Sequence, residues 1–298
     1  MSPSVSLPPP APVTVRPAWE FAAAAAPRGL ALAREKAYLL AWDEQNWLYL
    51  LHLTGRRQAQ VPAPQAIAAG AASDDGSAFA AIGTKGEVWW LAPDLMPRWQ
   101  RLLPHPAVAA ALDPFGQYLA VADRAGGLVL FNRHGKALAH VRVPRPLLHL
   151  AFVPESPTLV GSSDLGLVAA FDLAGNCRWR DGLAAHVGGL AVSGRGERVL
   201  LACFSEGLRQ YALDGKPRER IAVAEPCRLV GVDYLGQRLL VGGLDRRVLL
   251  LDGNGQALAD HSADGALTAL ALTPLGNFAV AALADGRLLG LELRSPAG

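Results

Sequence analysis

Leu112-Asp113-Pro114-Phe115-Gly116-Gln117-Tyr118-Leu119-Ala120-Val121-Ala122 is an apolar run, a tight turn and a second apolar run, and its turn returns along the chain. Counterparts of Asp113-Pro114-Phe115-Gly116 stand at Asp75-Gly76, Gly194-Arg195-Gly196, Tyr234-Leu235-Gly236 and Pro274-Leu275-Gly276, in steps of 40 residues. Two more columns keep the same frame. Ala31, Ala71, Ala111, Ala151, Ala191, Gly231 and Ala271 are never larger than a methyl, whereas Leu51, Leu91, Phe131, Phe171, Tyr211, Leu251 and Leu291 are always large and apolar. A period of this length marks a supersecondary unit repeated seven times.

Within a unit, short apolar runs alternate with turn signals about every ten residues, the pattern of antiparallel strands and not of helices. In the third unit the spacing predicts strand A over Val108 to Leu112, B over Gln117 to Ala122, C over Gly127 to Phe131 and D over Lys136 to Val141. The C to D connections read Thr54-Gly55, His134-Gly135, Ala174-Gly175, Asp214-Gly215 and Asn254-Gly255. A tight hairpin needs a residue at positive φ, which glycine adopts freely.

Seven four-stranded units predict an all-β, seven-bladed β-propeller with four antiparallel strands per blade around a central channel. The small column suits innermost strands that converge on the axis. The last unit stops after Leu291-Glu292-Leu293 and lacks a fourth strand. Trp19, Trp99 and Trp179 lie 80 residues apart, and the latter two fall in strand D. Residues 13 to 21 are therefore in phase to complete blade seven and close the ring, which removes an unpaired edge. Residues 11 to 298 are expected to form this single domain, and the Pro-rich residues 1 to 10 a flexible tail.

Composition narrows the function. Of the 298 residues, 51% are apolar and 18% charged, enough for a globular core. The net charge of +2 gives no strong attraction to nucleic acid or anionic lipid, although Arg supplies 24 of the 28 positive charges. The Ala and Arg bias suggests a GC-rich bacterial source. No run reaches the length of a membrane span, and MSPSVSLPPPAP lacks the basic and apolar regions of an export signal, so a cytoplasmic protein is expected. Cys177, Cys203 and Cys227 form neither a CxxC pair nor a ligand cluster, which argues against disulfides and zinc.

The strand A to B segment quoted above resembles that of the WD40 repeat, and Phe171-Asp172 and Leu251-Asp252 stand where that family has Trp-Asp. Asp245 and Asp285 match its structural Asp in the B to C turn, while the Gly-His pair that opens many such repeats is absent. Ala170, Asp172, Gly175 and Trp179 also resemble the quinoprotein blade signature, one residue short of its usual spacing. Both resemblances imply a propeller scaffold more readily than a chemistry.

No nucleophile elbow, zinc-protease motif or phosphate loop occurs, so no catalytic, cofactor or metal site is expected. Asp252-Gly253-Asn254-Gly255-Gln256 looks like the start of a calcium loop, but Ala257 and Ala263 occupy positions that need Gly and Glu, which favours a hairpin turn. The seven histidines are scattered one or two to a blade, as structural or solvated groups would be.

The irregular residues gather in the B to C turns, on the face shared with the D to A connections. Trp42, Arg124, Phe204, Arg246 and Arg247 are the expected partner-binding residues there, because aromatics and arginines dominate interfaces. Trp42 stands in a column otherwise made of small residues and Ile82, so filling space between blades is its alternative role. The expected function is a non-catalytic scaffold or subunit that binds another protein or a multiprotein complex. The alternative is an enzyme or small-ligand propeller, quinoprotein-like, with its site at the channel mouth.

Overall fold

The structure is a computed structural model that describes residues 13–244 and 246–295. The expected tail and Asp245 lie outside the described residues. Twenty-eight strands form seven four-stranded antiparallel sheets, each in the order A-B-C-D from the axis outward. The seven A strands pack side by side around the axis, joining each blade to the next and the seventh to the first. In blade three the strands are Ala107–Leu112, Tyr118–Asp123, Gly127–Asn132 and Ala137–Arg142, within a residue or two of the expected bounds. Among the described residues no helix is long and apolar enough to cross a membrane.

Blade seven is assembled from both ends of the chain. Leu267–Leu272, Phe278–Leu283 and Arg287–Arg294 are its inner strands, and Thr14–Ala22 pairs antiparallel with the last of them, from Thr14 opposite Arg294 to Ala22 opposite Arg287. The ring is closed as the tryptophan spacing requires. Trp19 then reaches into blade one, where its indole Nε1 donates to Leu53 O at 2.6 Å above Gly55. Trp99 and Trp179 repeat this contact, donating to Arg133 O at 2.9 Å and to Leu213 O at 2.7 Å over Gly135 and Gly215. Three of the seven blade junctions are thus bolted by an indole seated on a glycine, because a side chain on that glycine would occupy the ring's place.

Each family of turns has its own cap. At the A to B turns a short polar side chain accepts backbone N–H groups four and five residues on: Asp113 from Gln117 and Tyr118, both at 2.6 Å, and Asp233 from Gln237 and Arg238 at 2.7 and 3.1 Å. Ser73, Ser193 and Thr273 accept with a hydroxyl from the N–H five residues on. Such caps satisfy buried backbone donors that no ladder can reach. The C to D glycines sit at positive φ as expected, but blade two places Leu95 there, buried and at φ 65. The calcium-loop lookalike is a hairpin turn, in which Asp252 Oδ1 accepts from Asn254 N and Gln256 N.

The B to C carboxylate differs from the family pattern. Asp285 engages its near neighbour Arg287, from Nη2 at 2.7 Å, and caps only Arg287 N. Asp43 and Asp123, two positions earlier in the repeat, are buried turn carboxylates. Asp123 Oδ1 accepts from Ala125 N and Gly127 N, both at 2.8 Å, and Asp43 takes Trp47 N and the Tyr49 hydroxyl.

Candidate partner-binding site

On the B to C face the expected residues do not form one surface. Trp42 is only 5% exposed. Its ring lies between strand A of its own blade and that of blade two, where a Cβ on Gly29 would come within 2.2 Å and one on Gly70 within 2.8 Å. Strand alternation turns position 42 toward the next blade, and two glycines make room for it. Trp42 therefore fills an inter-blade space and is not a surface residue. Arg247 is held by Glu225 at 2.9 Å and by Asp260, ion pairs that tie together blade six and the connection leading into it. Arg124, Phe204 and Arg246 are exposed, with Arg124 N and Phe204 N bound to the D to A carbonyls of Pro106 and His186. Phe204 is 40% exposed and shares its repeat position with the exposed Leu244.

The opposite face, made by the A to B turns and C to D hairpins, carries the larger apolar display. Phe115, Leu235 and Leu275 are 60%, 58% and 77% exposed, and all three occupy the same turn-tip position of the repeat. Elsewhere that position holds Glu35, Asp75, Glu155 and Arg195. A turn tip has no core to pack against, so large apolar side chains there are left to solvent or to a partner.

Around the channel mouth these turns are laced to one another. Glu35 N donates to Asp74 O at 2.9 Å, Asp75 N to Pro114 O at 3.1 Å, Glu155 N to Gly194 O at 2.9 Å, Gly194 N to Tyr234 O at 2.8 Å and Tyr234 N to Pro274 O at 2.8 Å. Among the described residues no such bond joins Phe115 to Pro154. Phe115 N turns to its own Asp113 carboxylate instead, at 3.3 Å. Among the described residues the lacing is absent between blades three and four and between blades seven and one, and at the first of these a cleft of 640 Å³ opens, walled by Phe115, Tyr118, Phe152, Pro154, Pro157 and Leu173.

Polar groups face it from across the mouth. Arg34 grips Asp74 with two parallel bonds, Nε to Oδ1 at 2.7 Å and Nη2 to Oδ2 at 2.6 Å. This pair stands in a column whose other members are Pro114, Pro154, Gly194, Tyr234 and Pro274. The Tyr234 hydroxyl donates to Glu155 at 2.7 Å, and that bond raises its pKa above the ordinary phenol value. Burial raises the Asp113 carboxyl despite the backbone N–H groups that donate to it. Tyr234 and Pro274 also wall a neighbouring groove of 680 Å³ between blades six and seven, lined by Leu235, Leu275 and Leu293.

None of the expected partner residues lies on this face, whose turns serve first as markers of the repeat. The available signal was Phe115, Leu235 and Leu275, large apolar residues at the second-last position of tight turns. Among the described residues no three His, Cys, Asp or Glu side chains are grouped so as to hold a metal ion. Ala170, Asp172, Gly175 and Trp179 all serve the architecture: Asp172 caps the hairpin through Ala174 N and Asn176 N, Gly175 supplies φ 84, and Trp179 bolts the next blade. Compared with known proteins, the chain matches no family model and no curated protein. The seven-bladed propeller is established by its strand pairing, and the likeness to WD40 and quinoprotein repeats remains a likeness of motif.

Proposed function

We propose that the protein is a non-catalytic interaction scaffold or subunit that binds another protein across the A to B face. The observation that carries this reading is the trio Phe115, Leu235 and Leu275, exposed at turn tips beside two apolar depressions. Apolar anchors next to pockets are the arrangement in which a few side chains supply most of an interface's affinity. All three cysteines are free thiols, one of them exposed, which fits a reducing cytoplasm.

The test is affinity capture from native extract with two sets of variants. Phe115→Ser, Leu235→Ser and Leu275→Ser together should abolish a stoichiometric companion, with the fold intact by circular dichroism. Arg124→Ala, Phe204→Ala and Arg246→Ala together should leave it bound. Capture lost only with the second set would transfer the interface to the B to C face and refute the assignment.

A second reading has one specific support. The 640 Å³ cleft falls within the size range of small-molecule sites, and Arg34, Asp74, Glu155 and Tyr234 could orient a ligand in it. Under that reading the purified monomer would carry a small molecule released on denaturation and seen by mass spectrometry.

A further inference from the structure

The junction between blades five and six lacks the indole that bolts three other junctions. Counting by 40 residues, Glu219 takes the place of Trp19, Trp99 and Trp179, but the bulge of this strand comes later and Arg218 stands opposite Gln210 where the indole would be. Ile221 covers Gly255 of the blade six hairpin, where a Cβ would lie 2.5 Å from its methyl, but the rest of the slot stays open as a cleft of 500 Å³. Arg198, Gln210, Arg218, Glu219 and Arg220 line it, facing Gly253 and Asn254 of that hairpin. Three guanidinium groups thus share a wall with one carboxylate.

The innermost of these arginines is fixed in place. Arg198 Nη1 donates to Gln210 Oε1 at 2.6 Å, and the buried Gln210 in turn donates through Nε2 to Glu219 O at 2.7 Å. A Cβ on Gly253 would lie 3.0 Å from Arg198 Nη2, so glycine is what lets the guanidinium run beside the hairpin. Register places Arg218 opposite Gln210, a bulge follows before Ile221, and Arg218 and Arg220 both line the cleft. Among the described residues neither Arg198 nor Arg218 makes an ion pair, and Arg220 only approaches Glu206 at 4.0 Å, which Arg209 already holds at 2.6 Å. Asp233, Asp252 and the exposed Glu197 favour the Arg198 charge without an ion pair to it, the Oδ1 atoms of the two aspartates being occupied in capping turns.

Burial disfavours the Arg198 cation, and Arg218 beside it disfavours it further. A partly buried cation close to a second one, with a neutral amide as its hydrogen-bonding partner, lacks a counter-charge in contact. We infer that this cleft binds a phosphoryl group, free or carried on an ester, between Arg198 and Arg218. Planar guanidinium forks match the oxygens of a phosphate two at a time, and the cleft has room for the group and a small substituent.

Isothermal titration of the full chain in low-salt, phosphate-free buffer tests this, with inorganic phosphate and O-phosphoserine as separate probes. Saturable binding is expected, weakened roughly tenfold or more in Arg198→Gln and in Arg218→Gln. Arg218 is exposed, so its variant keeps the fold even if that of Arg198 does not. Glu219→Trp places an indole on the wall of the cleft and should block binding with every arginine in place. Tighter binding of phosphoserine identifies an ester-borne ligand, and equal or tighter binding of inorganic phosphate a free one. Absence of saturable binding by both probes, or binding unchanged in Arg218→Gln and Glu219→Trp, overturns the inference.

Discussion

Replacing Trp19 by alanine isolates what ring closure contributes. The indole is half-buried, lying between Gly290 of its own blade, where a Cβ would meet it at 2.2 Å, and Gly55 of blade one, where the distance is 2.8 Å. It also stacks on Phe278 with centroids 6.4 Å apart and donates one bond at 2.6 Å. Fully buried Trp to Ala changes cost about 3 to 5 kcal/mol. Half burial takes roughly half of that, and the lost hydrogen bond adds about 1 kcal/mol, for a total of about 3 kcal/mol. In a chain of this size the melting temperature should fall by roughly 6 °C. Trp19→Phe keeps most of the packing and should lose only about 1 kcal/mol. Equilibrium urea unfolding reads the loss, and unfolding kinetics separate closure from packing. Trp99→Ala and Trp179→Ala remove the same contact between blades already adjacent in the chain, whereas Trp19 joins the two ends of the ring. Trp19→Ala should therefore accelerate unfolding more than either at equal loss of stability. A Trp19→Ala loss below about 0.5 kcal/mol, or the same acceleration in all three, would refute the closure argument.

Two further outcomes follow from buried groups. Burial raises the thiols of Cys203 and Cys227 to about 11, so at pH 8 a thiol reagent should label only the exposed Cys177 in the native protein and all three cysteines in denaturant. Labelling of more than one thiol without unfolding would contradict the packing of blades five and six. In acid, Asp172, Asp214, Asp260 and Asp285 lie below the ordinary 3.8 because Asn176, Lys216, Arg247 and Arg287 bond their carboxylates, and at Asp75 donation from Ser73 and Ser77 outweighs burial. Their contribution is present above the unfolded value and lost as the pH falls below it. Asp113 has the opposite sign: burial raises it, so its share is present at low pH and lost as the pH rises. Asp113→Asn keeps an acceptor oxygen without the charge, so its melting temperature relative to the native chain should be higher at pH 7 than at pH 3.5. A difference independent of pH would remove Asp113 from the account.

The fold was legible because a ring of identical units writes its geometry into columns. The all-small column at Ala31 and the indole spacing at Trp19 each reflect a contact made in several blades, so one chain carries its own comparisons. The site was less legible because exposure at a turn tip is decided by tertiary placement. Phe115, Leu235 and Leu275 share a column with Glu35 and Arg195, and no periodicity separates a solvated tip from a docking one. Trp42 kept two readings, surface and inter-blade, for a related reason. Its bulk was weighed against its own column, whereas the compensating residues are Gly29 and Gly70 in two different strands. Arg198 gave no signal, since its surroundings depend on a strand that places Arg218 where three other blades place tryptophan.

Blade seven also has a history in time. Of the strands of this ring, Thr14–Ala22 leaves the ribosome ahead of the others, yet its partner Arg287–Arg294 follows them all. At ordinary rates of synthesis the interval is on the order of tens of seconds, during which blades one to six form beside a strand with nothing to pair with. Such a strand invites association with other nascent chains. Its sequence Thr14-Val15-Arg16-Pro17-Ala18-Trp19-Glu20-Phe21-Ala22 answers with a proline that cannot donate to a ladder, a register shift between Pro17 and Trp19, and the charges of Arg16 and Glu20 on exposed positions. The closing strand is built to wait.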